Sequence, residues 1–406
     1  MISFAQVCAE LDRRRQTTLG FERIEALLTA MGNPERAVPG LVQVVGTNGK
    51  GTTALALAAA LEEMGYPSGA YLSPHVLSYT ERVVLRGGQV SEEDFAAVMG
   101  ETIELADRKG IPASQFELLT AGALEIFAAA GLSWAVLEAG LGARHDATSA
   151  VRPDAVVLTN VSIDHTEHLG ETVEKIAEEK LASLKPGATL YLGTDERRLV
   201  DLAHSACRRV GARLVLPGEA SENVSFSGLA PYEADDVRLG IAVAESLLER
   251  RLPAEVEQKV ALAVGEALPG RFEVHEVEGV PVVVDGGHNA AGLSAALAGM
   301  RAVYGERPLG VVFGVLREKD AASMLARLKG ETDVIVLTRP ESERAADPAH
   351  LEDGLLDCGE RRAMVVEYPV EALRVAVEAV RSRAGVVLVT GSLSTAAPVL
   401  RWLREA

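Results

Sequence analysis

Residues 44–53 read Val44-Val45-Gly46-Thr47-Asn48-Gly49-Lys50-Gly51-Thr52-Thr53, an apolar run that breaks into glycine and then into a helical pattern over 51–64. Glycines let a backbone fold around phosphate oxygens and aim its N–H groups at them, and the start of the helix adds roughly half a positive charge. Lys50 is placed to reach terminal phosphates and Thr52 to ligate Mg²⁺, so the stretch implies a bound nucleoside triphosphate. The spelling departs from GxxxxGK[ST]: Gly46 and Gly49 stand too close, and Gly51 separates Lys50 from Thr52.

Outward from this loop, short continuous apolar runs recur at 41–45, 134–138, 154–160, 280–285, 309–314, 333–337 and 386–391. Unbroken runs mark strands buried on both faces. Helical patterns at 91–108, 115–129, 171–184 and 196–209 lie between them, and Ser91 ahead of Glu92-Glu93-Asp94 supplies a start signal. Such alternation predicts parallel sheets wrapped by helices. The stretch 217–236 is poor in periodicity and rich in turn formers, and the alternation restarts after Leu268-Pro269-Gly270-Arg271. The expected architecture is α/β: a P-loop, parallel-sheet ATP-binding domain over 1–268, then a smaller Rossmann-like α/β domain over 269–406.

The chain has 406 residues, 48% of them hydrophobic, enough for more than one large core. Its 40 Lys+Arg against 58 Asp+Glu give 40 − 58 = −18, which argues against nucleic acid or an anionic membrane as partner. Cys8, Cys207 and Cys358 lie too far apart for a disulfide framework or a zinc site. The N-terminal stretch lacks a basic n-region and long h-region, and the best apolar run, 121–137, is interrupted by Glu125. A soluble, cytoplasmic monomer acting on small molecules is expected. Gly140 and Gly142 could open a dinucleotide fingerprint, but its third glycine would fall at His145, which excludes NAD.

The variant loop is one of an ordered set. It is preceded by Leu19-Gly20-Phe21-Glu22-Arg23-Ile24 and Met31-Gly32-Asn33-Pro34 and followed by Ser73-Pro74-His75, Tyr79-Thr80-Glu81-Arg82-Val83, Phe116-Glu117 with Thr120, and Glu138-Ala139-Gly140-Leu141-Gly142 with Asp146-Ala147-Thr148. Asp164-His165-Thr166, Glu179-Lys180, Pro269-Gly270-Arg271 and Asp285-Gly286-Gly287-His288-Asn289 complete it. The set spans most of the chain and resembles folylpolyglutamate synthase/dihydrofolate synthase, of the Mur ligase superfamily.

The resemblance implies an ATP-dependent carboxylate–amine ligase that adds L-glutamate to dihydropteroate or to folates through an acyl phosphate. It puts ATP on Asn48, Gly49, Lys50, Gly51, Thr52, Thr53, Arg271 and Asn289, one Mg²⁺ on Thr52, and a second on Ser73, Glu138 and His165. Asp146 would meet the pterin, and Phe116 would either stack on that ring or pack in the core. Lys180 would be either a CO₂ carbamate or an exposed, salt-bridged lysine. Asp285 and His288 would serve the incoming glutamate and the phosphates. The chain departs from the family at Tyr232-Glu233 and Asp236-Val237, where His-Gln and Asn-Ala are usual, leaving adenine contacts open. Two other readings stand beside it. A peptidoglycan Mur ligase usually carries a UDP-sugar domain ahead of the loop, where this chain has 45 residues before Gly46. A non-catalytic nucleotide-binding relative would have no use for Lys50, Thr52, Ser73, Glu138, His165 and Lys180 together.

Overall fold

The run ahead of the loop forms β1 (Gly40–Val45), buried along its whole length. In a computed structural model, which describes residues 2–15, 20–217, 226, 228–357 and 363–405, the chain divides into two units. Unit 1 holds Met1–Phe226 and Asp235–Ala267; unit 2 holds Ser227–Ala234 and Leu268–Ala406. Leu19, Cys358 and residues 218–225 and 227 lie outside the described residues.

The other strands of unit 1 are β2 (Ser68–Tyr71), β3 (Val83–Leu85), β4 (Gly88–Gln89), β5 (Trp134–Glu138), β6 (Ala155–Leu158), β7 (Thr189–Leu192) and β8 (Arg213–Val215). They form one sheet in the order β4-β3-β2-β5-β1-β6-β7-β8. All neighbours from β2 to β8 are parallel, and β3 and β4 add an antiparallel edge. Val44 pairs with Glu138 on one side of β1, and Val45 with Leu158 on the other. The chain fills β2 and β5 on one flank of β1 before crossing to β6. The order therefore reverses at β1, and ligands of open α/β sheets bind outside the strand ends at such a point. Tyr71, Phe95, Leu118 and Phe127 fill one side of the sheet, each burying roughly 2–3 kcal/mol of apolar surface.

Unit 2 holds β9 (Glu273–Val277), β10 (Val280–Val284), β11 (Leu309–Phe313), β12 (Val334–Leu337), β13 (Ala363–Val365) and β14 (Val386–Thr390), in the order β13-β12-β11-β14-β10-β9. Every pair is parallel except the β9–β10 hairpin. Its core includes Val283, Phe313, Leu337 and Leu388, together with Ala230 from the early segment.

All seven expected strands form, as do helices at Lys50–Glu63, Glu92–Lys109, Gln115–Ala129, Val173–Leu181 and Arg197–Val210. Ser91 caps its helix by accepting the Asp94 N–H at 3.0 Å. The expected irregular stretch 217–236 is corrected at its end, because a helix runs over Pro231–Leu248. Proline suits a first helical position, where its missing N–H would have had no partner, and the Glu233 carboxylate accepts the Ala230 N–H. Among the described residues, no helix is long and apolar enough to cross a membrane.

Candidate active site

The loop after β1 is fastened to the end of β6. Thr47 N–H donates to Asn160 O and Asn48 N–H to Asn160 Oδ1, both at 3.0 Å, while Thr159 Oγ1 and Asn160 Nδ2 donate to Asn48 O at 2.7 and 2.9 Å. Glycine is required twice. A Cβ at Gly46 would stand 1.9 Å from Thr159 Oγ1, and one at Gly49, whose φ is +78°, would stand 2.1 Å from Asp236 Oδ1. The first N–H groups of a helix have no intrahelical acceptor, so the turn beginning at Lys50 offers donors and the positive end of the helix dipole. The Lys50 ammonium donates back to Thr47 O at 3.1 Å and so stays over the loop. Thr52 is buried at this turn. Thr53 is fully buried in the same turn, and its hydroxyl donates to Asp236 O at 3.2 Å.

Glu138 ends β5 beside this turn, buried, with Oε2 accepting the Ser73 N–H at 2.7 Å. The same oxygen lies 3.2 Å from where a Gly51 Cβ would be. Thus β5 and the loop after β2 bring Ser73 and Glu138 to the P-loop turn that carries Thr52. A buried carboxylate is costly without a cation, and oxygen donors suit a hard divalent ion, so this set fits Mg²⁺. His165 stands beyond β6 with an exposed side chain, and its backbone N–H donates to Asp164 Oδ1 at 2.8 Å.

Lys180 overturns the exposed, salt-bridged reading. It is 4% exposed and its ammonium donates to Gly46 O at 2.6 Å, while the neighbouring Glu179 faces outward and accepts from Arg144. Burial, with Lys50 nearby, draws the Lys180 pKa down to about 7, against the pull of Asp164.

Phe116 is half-buried, its ring 5.8 Å from that of Tyr71 and packed over Gly140, where a Cβ would come within 2.8 Å. Asp146 holds the loop after β5 together. It accepts N–H bonds from Gly140, Leu141 and Thr148 at 2.9, 3.0 and 3.0 Å, and the Thr148 hydroxyl at 2.5 Å. Burial raises its pKa, against those bonds. Gln43, which the sequence reading passed over inside β1, donates to the Thr148 and Ser149 hydroxyls at 2.7 Å and ties this loop to the sheet. His75 was named only as part of a motif. Its Nδ1 accepts from Arg82 Nε at 2.8 Å, which leaves the ring proton on Nε2, and burial with Arg82 and Arg15 pushes its pKa down to about 3.

In unit 2 the loop after β10 carries a second group. Asp285 is buried and accepts from Tyr232 and from the Phe272 and Gly287 N–H groups. His288 Nδ1 lies 3.2 Å from Gly286 O; a carbonyl only accepts, so Nδ1 carries the proton and Nε2 is the basic nitrogen. Asn289 caps the helix Ala290–Tyr304 by accepting the Gly292 N–H at 2.8 Å. Arg271 lies against Gly286, where a Cβ would come 2.8 Å from Nη1.

A P-loop unit with a buried carboxylate beside its loop, followed by a Rossmann-like unit, defines an ATP-dependent ligase of the Mur type. Residues 44–186 match the Mur ligase middle domain, and residues 270–393 match the Mur ligase, glutamate ligase domain. The dihydrofolate synthase/folylpolyglutamate synthase of Escherichia coli is 32% identical over 83% of this chain and 81% of its own. The solved structure of E. coli FolC in complex with DHPP and ADP superposes with TM-score 0.87 at 28% identity, covering 100% of this chain and 98% of that one. A bifunctional folylpolyglutamate synthase/dihydrofolate synthase with Mn, AMPPNP and L-glutamate bound gives TM-score 0.83 at 28% identity, over 100% and 98%. The chain belongs to the dihydrofolate synthase/folylpolyglutamate synthase family.

Proposed function

We propose that the protein uses ATP and Mg²⁺ to join L-glutamate to the carboxylate of dihydropteroate, of reduced folates, or of both. The observation that carries this reading is the buried Glu138 carboxylate set against Ser73 and the Lys50–Thr52 turn, an arrangement suited to a metal-bound triphosphate. In the related proteins named above, ADP with DHPP, and Mn with AMPPNP and L-glutamate, are bound.

Asn48, Gly49, Lys50, Gly51 and Thr52 would cradle the phosphates, with Lys50 neutralising charge on the transferring group. Thr52 would hold one Mg²⁺ and Ser73, Glu138 and His165 a second, and these ions would supply positive charge to offset that of the phosphates. The γ-phosphoryl group passes to the substrate carboxylate, giving an acyl phosphate and ADP. The glutamate amine then attacks the acyl carbon, the amide forms, and phosphate leaves with the C–O bond electrons. His288 Nε2, as the basic nitrogen, would take the proton the amine loses. Phe116 would pack against the pterin, with Asp146 shaping its loop. Arg271 would offset phosphate charge, and Asp285 and Asn289 would set the loop that holds His288.

We read 1–268 as the nucleotide domain and 269–406 as the glutamate domain, into which the segment Ser227–Ala234 also packs, in a soluble cytosolic monomer whose net charge of −18 disfavours nucleic acid and anionic membranes. Mass spectrometry after incubation with ATP, Mg²⁺, glutamate and each pterin tests the activity. Glutamylated dihydropteroate or tetrahydrofolate with matching ADP is expected; no product from either would end this reading.

A further inference from the structure

Asp285 gathers three separate pieces of unit 2 on one buried carboxylate. Its Oδ2 accepts the Tyr232 O–H at 2.5 Å and the Phe272 N–H at 3.1 Å, and its Oδ1 accepts the Gly287 N–H at 2.8 Å. Tyr232 comes from the short segment Ser227–Ala234, Phe272 from the turn entering β9, and Gly287 from the loop after β10.

Phe272 holds φ at +42°, a left-handed conformation rare for an aromatic residue, so its N–H bond to Asp285 fixes a turn that would otherwise relax. Arg271 precedes it in the same turn. Gly286 N–H donates to Gly270 O at 2.9 Å, which joins the turn to the loop carrying His288. The Tyr232 ring meets Phe272 edge-on at 6.4 Å, and its phenol is the one side-chain donor shown on Asp285 among the described residues. Burial and the Asp285 charge hold that phenol well above its ordinary pKa, so it remains a donor at any working pH.

We infer that Tyr232 is a positioning residue of the ligase reaction, which through Asp285 sets both the turn of Arg271 and the loop of His288. The inference rests on the reading of Arg271 and His288 as ligation groups. It concerns a position where this chain departs from the family it resembles, and where the sequence alone offered no role.

Tyr232→Phe deletes one O–H and keeps the ring on Phe272. Its kcat should fall about tenfold with Tm within about 2 °C of the parent. Asp285→Asn should be impaired, and the Tyr232→Phe/Asp285→Asn double variant no further impaired than Asp285→Asn alone, since the phenol acts only through that carboxylate. Leu297→Ala, in the core of unit 2, should lower Tm and leave kcat at the parental value, which separates positioning from lost stability. Fully multiplying losses in the double variant overturn the clasp, as does a parental kcat in Tyr232→Phe beside an impaired Arg271→Ala. If Arg271→Ala also turns over at the parental rate, the reading of that turn as part of the site falls, and the clasp falls with it.

Discussion

Lys180 offers a direct test of the chemistry at the P-loop. A lysine in water holds its proton to a pKa of 10.5, whereas burial and Lys50 bring this one to about 7. Near pH 7 this makes the neutral amine on the order of a thousandfold more abundant than it is for a lysine in water. Only the neutral amine adds CO₂: the N–C bond forms, one proton leaves, and a carbamate of single negative charge remains. That product would replace a buried cation beside Lys50 with its counter-ion. Protein held at pH 6 in CO₂-free buffer should lose at least tenfold in activity when assayed at pH 8 without CO₂, and regain it on addition of bicarbonate. Native mass spectrometry should follow the same cycle as gain and loss of one CO₂. Lys180→Ala should be inactive and partly restored by a short carboxylic acid. The depressed pKa also fixes a sign for stability. The folded state carries the whole penalty below about pH 7, and the penalty fades as pH rises toward 10.5, because there the unfolded chain binds more protons. Lys180→Met should therefore gain most in Tm, relative to the parent, at pH 6. Parental kcat in Lys180→Ala, or full activity after CO₂ removal, would refute the reasoning.

Gly49→Ala forces a methyl onto Asp236 at a φ that costs other residues about 1–2 kcal/mol, so kcat/KM for ATP should fall by roughly 5–30-fold. Adding Asp236→Ala should recover part of that loss, and a steady-state titration of ATP checks both. Glu138→Gln should raise the Mg²⁺ concentration for half-maximal activity about tenfold or more, measured by Mg²⁺ titration of ADP release. Glu257 is 2% exposed with Oε2 lacking a hydrogen-bond partner, and burial with Glu245 beside it raises its pKa. A raised carboxyl pKa means a penalty at neutral pH that vanishes in acid, so Glu257→Gln should raise Tm by about 2 °C at pH 7 and lose that advantage below pH 4.

The central strands were legible because burial on both faces demands unbroken apolar runs, and WAVLE and VPVVV supply them. Two of the strands that went unread are of another kind. β2 is Ser-Gly-Ala-Tyr, and β4 is two exposed residues at a sheet edge, where neighbours rather than propensity decide pairing. The loop over 46–52 was read from glycine, lysine and threonine alone, because phosphate binding restricts which residues can stand there. Burial of Lys180 was not legible, since a lysine beside two glutamates on a helix looks solvated until the Gly46 carbonyl is placed next to it. The partner of Asp285 was hidden for a different reason: Tyr232 lies 53 residues earlier, and no spacing rule reaches that far.

Ala230 is fully buried in the core of unit 2 although it precedes the last two helices of unit 1 in the chain. A C-terminal piece cut at 268 would thus be missing a plug from its hydrophobic interior as well as the Tyr232 hydroxyl. Shuffling glutamate domains among relatives by a single crossover would pair each incoming domain with a foreign plug. Chimaeras that carry both segments from one parent should express and fold where single-crossover ones aggregate.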